Sequence, residues 1–195
     1  MKSIFPRIAA ILAVALLCTA AFAQNTHTIF TGRTSVKLSN TFTTALADLD
    51  VSVGRVFPTE MENGSVTFPV TGGAIDLDTA AGNILHSGGL TLTAGGTEVR
   101  LQSFIIDTTG GRPMITGLVV VNGKLVGRLP LFDLSLPAGF TVPLRLAGNR
   151  ISLSGVNVTL DAQAAAALNS VFKVSAFQGG LDIGMASVKA FEAGW

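Results

Sequence analysis

Residues 66–92 read V-T-F-P-V-T-G-G-A-I-D-L-D-T-A-A-G-N-I-L-H-S-G-G-L-T-L. Val66, Phe68 and Val70 alternate with Thr67 and Pro69, the period of a strand with one face buried. Two glycine pairs follow, Gly72-Gly73 and Gly88-Gly89, and such pairs supply the positive φ of tight turns. Between them lie Asp76, Asp78 and His86, the one histidine deep inside the chain. The stretch therefore reads as short strands joined by turns, and the segments after it read as its sheet partners.

Outward from it the strand period persists. Thr97–Asp107 is the longest clean strand, with Glu98, Arg100 and Gln102 on one face and Val99, Leu101 and Ile105 on the other. Ile115–Val121, Asn122-Gly123 and the residues from Lys124 form a hairpin, because both central residues of a type I′ turn need φ > 0. Leu129–Leu136, Val142–Leu146, Val174–Phe177 and Ala186–Phe191 read as further strands, and Pro130 marks an edge or a strand end. In Ile151–Leu160 the apolar phase slips at Ser154-Gly155, which a β-bulge there restores.

The period changes to helical twice. Phe42, Leu46 and Leu49 recur at i, i+4 and i+7, with Ser39 or Thr41 as cap. Ala162–Val171 is Ala-rich, carries Ala164, Leu168 and Val171 on one stripe, and follows Asp161 as cap. Each helix sits between strand-like segments, a weak internal repeat that common strand–helix–strand patterning explains equally well. The fold expected is all-β: a sandwich or flattened barrel of about ten or more short antiparallel strands with two short covering helices.

The start of the chain is an export signal. Lys2 and Arg7 precede the apolar run Ile8–Leu17, and Ala21-Phe22-Ala23 offers small residues for cleavage before Gln24. The run is shorter than the about 20 residues that span a bilayer. Cys18, the only cysteine, follows bulky Leu17, a poor lipidation context, and leaves with the signal. The expected product is residues 24–195, one secreted domain in the periplasm or at the cell surface, without disulfide, thiolate or transmembrane segment. Loss of Lys2 and Arg7 turns the formal charge from +1 to −1. So balanced and charge-poor a chain is no partner for nucleic acid, which demands clustered cations.

Gly82–Asp107, with P-V-T-G-G at residues 69–73, resembles the HtaA-type domain of secreted bacterial haem-binding and cell-surface proteins. G-R-L-P-L-F-D-L (residues 127–134) and the helix ending A-L-N (residues 167–169) are similar to secreted members of the same broad group. The resemblance implies a β-rich extracytoplasmic fold and haem or porphyrin as the cofactor to consider. The family pattern uses a tyrosine as iron ligand with a histidine beside it. His86, in H-S-G-G, matches that histidine, whereas the chain has no tyrosine.

Taken by their chemistry alone, the polar residues have quieter alternatives. His86 is a haem ligand or a strand-end histidine satisfied by backbone. His27, near the new terminus, is expected in solvent. Asp76 and Asp78, two apart, share a strand face and with Thr79 offer oxygens to Ca²⁺, although Asx-turns explain the same residues. There is no H-E-x-x-H and no G-x-S-x-G, and no serine is marked as a partner for either histidine. The expectation is a non-enzymatic domain that binds a small ligand or an envelope component; the alternative is a structural or adhesive envelope domain with no small ligand.

Overall fold

The structure is a computed structural model that describes residues 25–192. Residues 1–23, read above as an export signal and including Cys18, lie outside them. In chain order the elements are β1 (Thr26–Leu38), α1 (Asn40–Asp48), β2 (Ser52–Val56), β3 (Glu60–Glu62), β4 (Ser65–Asp76), β5 (Gly82–His86), β6 (Gly89–Ala94), β7 (Thr97–Asp107), β8 (Met114–Val121), β9 (Lys124–Ser135), β10 (Arg150–Leu160), α2 (Ala162–Phe172) and β11 (Asp182–Glu192). All pairings are antiparallel. The order β7-β5-β4-β1-β11-β10-β9-β8 closes through β8–β7 into an eight-stranded barrel, with β2, β6 and β3 as additional strands.

The barrel is apolar inside. Ile29, Val36, Val66, Phe68, Val70, Val99, Leu101, Val156 and Val158 are buried, the inverse of a water-filled outer-membrane barrel. Phe104 packs edge-on against Phe68, ring centroids 5.1 Å apart, and lies 6.5 Å from Phe132.

Both helices sit at one rim, and the pairing requires it. β1 and β10 each pair antiparallel with β11, so they run parallel to one another, and Leu38 and Val158 both face Gly184. Both strands therefore run out at the same end of the barrel, one into α1 and the other into α2. Ser39 caps α1, accepting from the Phe42 N–H; Asp161 caps α2, accepting from Gln163 and Ala164. The two strand–cap–helix units match as the repeat suggested, but their exits differ: α1 leads into β2, whereas α2 leads into a loop.

Several expectations are borne out by residue. Asn122 and Gly123 both have positive φ in the β8–β9 hairpin. The β10 register shifts between Ser154 and Val156, around Gly155 at φ +76°.

Others change. Ser103 has φ +53° and the β7–β8 register shifts between Gln102 and Ile105. Phe104 and Ile106 therefore point inward, and Ile105 does not. Gly72-Gly73 lies within β4 rather than in a turn. At Gly73 a Cβ would stand 2.1 Å from the Asn83 carbonyl oxygen, so the glycine lets β5 approach. Val142–Leu146 is not a strand: Pro143 has no N–H, and the Leu144 N–H donates to Leu77 rather than to a ladder. Val174–Phe177 is not a strand either. The Asn169 amide donates to the Phe177 carbonyl and accepts from its N–H, standing in for a neighbouring strand.

Candidate functional site

β9 pairs with β10 only over Phe132–Ser135, but with β8 as far as Lys124. The sheet β2-β6-β7-β8-β9 thus continues past the rim where β1 and β10 turn into helices. α2 packs against β9, and α1 against β11. Between this extended sheet and the helices lies a slot of about 110 Å³. Leu90, Leu92, Leu101, Val119, Val121 and Leu129 line it from the sheet. Ala164, Ala167, Leu168 and Val171 line it from α2, and Phe42 from α1. Thr34, Phe68, His86 and Phe104 line it at the barrel end. Ala167, on α2, lines the slot and is itself exposed.

His86 ends β5 on its inward phase, after buried Ile84. It is 5% exposed, and its Nε2 stands 2.7 Å from the Thr34 hydroxyl, itself buried. Nδ1 has no hydrogen-bond partner among the described residues. Burial holds the His86 pKa down to about 4, with the carbonyls of Phe104 and Ile84 pulling weakly the other way. The ring is therefore neutral at pH 7. Thr34 and His86 form a hydroxyl–imidazole pair, but no carboxylate orients Nδ1, so the pair lacks the third member of a nucleophilic triad. Chain order hides Thr34. Its signal is a polar residue on the inward phase of β1, in step with Val36.

The other singled-out residues lie elsewhere. Asp76 ends β4, and its Oδ1 accepts from the hydroxyl and N–H of Thr79, three residues on, 2.7 and 2.8 Å away, local turn bonds that lower its pKa. Asp78 is in the following turn, not on the strand, and accepts from the Asn25 amide at 3.2 Å. Among the described residues no three His, Cys, Asp or Glu side chains gather as a metal set. His27 is not free in solvent: its Nδ1 pairs with Glu192 across β1 and β11. It faces Ile75 on β4 whereas His86 faces Val70, roughly 17 Å apart along the strand, so the two histidines share no site.

No protein-family profile and no curated protein matches the chain. Solved structures do. The C-terminal domain of HtaA from Corynebacterium glutamicum superposes with a TM-score of 0.66 at 18% identity, over 86% of this chain and 99% of that one. The N-terminal domain of the same protein gives 0.60 at 12%, over 85% and 99%. The haem-binding protein HtaB of the same organism gives 0.57 at 11%, over 86% and 96%. The fold is therefore of the HtaA type, and at such identities the likeness is one of fold.

Proposed function

We propose that this chain is a non-enzymatic binding domain, exported to the periplasm or cell surface by its N-terminal signal, that receives an apolar ligand in the slot between α2 and the extended sheet. The observation that carries this reading is the slot: a carbon-walled space at the barrel rim, with the bonded pair His86 and Thr34 on its barrel side and exposed Ala167 on its α2 side. Concave apolar spaces of this kind are the usual seats of small ligands. Toluene, a single ring of the size the slot can hold, titrated calorimetrically into the purified protein tests it. The expected result is saturable, one-to-one binding that Ala167→Phe weakens. Heats that never saturate, or that the substitution leaves unchanged, contradict the reading.

Haem is the second reading, favoured by the likeness in fold to haem-binding HtaB. His86, neutral and with an unpartnered Nδ1, is the residue that would reach iron. The slot does not fit the group. Its volume is well below the roughly 300 Å³ and more of pockets that enclose drug-sized ligands. Among the described residues no lysine or arginine lines it to meet propionates. Beside His86, where the family pattern sets a phenol, stands the short hydroxyl of Thr34. Haemin titration, read in the Soret band, separates the two readings. An apolar slot without haem gives no saturable shift, whereas a one-to-one shift abolished by His86→Ala makes haem the ligand.

A further inference from the structure

Building on the slot reading above, we infer that the slot takes the end of a single hydrocarbon chain, inserted methyl-first, with the polar head left in solvent beside α2. Four features lead there.

The wall is almost wholly carbon, and the two polar side chains on it, Thr34 and His86, are already hydrogen-bonded to each other. Almost no polar surface faces the space, so a polar ligand group carried inside would lose its water for at most one buried partner, the Nδ1 of His86, a loss of roughly ten-fold or more in affinity. The volume, about 110 Å³, is close to that of cavities that stay dry and hold one benzene-sized body, and too small for a porphyrin or other fused-ring ligand. Among the described residues no charged side chain lines the slot, so an ionised head has nowhere to go but outward. The apolar surface also continues outside. Val121 lines the slot, and across the adjoining hairpin Leu125 and Val126 are 61% and 57% exposed, a place for the emerging part of a chain to lie.

Free fatty acids and lipid chains share this chemistry. A homologous series of sodium carboxylates from hexanoate to tetradecanoate, each below its critical micelle concentration and titrated calorimetrically into the purified protein, tests the inference. Affinity should rise about four-fold for each added carbon while the chain is filling the slot. It should then level off, because further carbons stay outside. Dodecanol should bind within about three-fold of dodecanoate, because the head makes no buried contact. If dodecanoate binds and dodecanol does not, the head is recognised inside and the inference fails. Ala167→Phe should weaken dodecanoate at least ten-fold, and Val171→Phe serves the same purpose should the first variant fold poorly. No binding of any member, or affinity independent of chain length, overturns the inference. If toluene still binds in that case, the slot remains a ligand seat of another class; if neither binds, the broader reading falls with it.

Discussion

The two helices leave the same rim of one barrel from parallel strands, yet they are held by different means. α1 is held by its apolar side: Phe42 and Leu46 are buried, and its cap, Ser39, also donates to the Asp182 carbonyl at 2.6 Å. α2 is held by its polar ends. Asp161 accepts from two N–H groups at the helix start and from Arg112 at 2.6 Å, and Arg112 also reaches Asp133 at 2.5 Å. At the other end Asn169 ties down Phe177. Between these anchors α2 faces the slot, where packing is incomplete. A helix beside a void cannot rely on burial to fix it, so directional polar contacts at its ends take that role.

The contrast is open to attack by substitution. The largest effect is expected where burial does the holding. Phe42→Ala should cost about 3–5 kcal/mol in urea unfolding, whereas Leu168→Ala, half-buried on the slot, should cost about 1–2 kcal/mol. Equal losses would mean that α2 is packed as tightly as α1.

Acid distinguishes what lies beneath the helices from what caps them. His86 titrates at about 4 in the folded protein and near its ordinary 6.5 when unfolded. Below pH 6.5 the unfolded chain binds the proton and the folded one does not. Stability should therefore fall as pH drops from 6.5 to 4, by about 3 kcal/mol in all. His86→Leu should remove that slope; a slope that survives would assign it to other groups. Asp161 acts lower. Burial alone would raise its pKa, but the Ala164 N–H, the Arg112 guanidinium and the Gln163 N–H outweigh this and hold it below the usual carboxylate value. Its contribution is present above that usual value and is lost as pH falls through the folded one.

The caps give the smaller differences. Asp161→Ala removes two N–H acceptors and leaves Arg112 with Asp133 alone, and should cost about 2 kcal/mol. Ser39→Ala should cost about 1 kcal/mol. Asp161→Asn, which keeps the acceptor and loses the charge, should fall between Asp161→Ala and the parent. If it matches the parent in thermal unfolding, Arg112 contributes nothing to the anchor.

How much of this was legible in the chain follows from the range of each signal. Asp161 before an Ala-rich run, Asn122-Gly123 between strands, and the phase slip at Ser154-Gly155 are local, and each stands in the fold as read. The slip at Ser103 was not legible, because a serine at φ +53° carries no glycine to announce it. Val174–Phe177 has strand-like composition, and only the distant side chain of Asn169 gives it another partner. His86 stood out as a lone internal histidine, but its partner Thr34 lies on a strand 52 residues earlier. The slot has no local signal at all, since its walls come from nine strands and both helices and its defining feature is the space between them.

The most direct test of where the ligand sits is methyl-resolved NMR of the protein during titration with dodecanoate. If the slot is the seat, methyl resonances of Ala167, Leu168, Val171 and Leu129 shift together and saturably. Those of Ile75 and Ile151, buried but not part of the slot, stay in place. Saturable shifts at Ile75 or Ile151, with the α2 methyls unmoved, would place the ligand elsewhere and contradict the account.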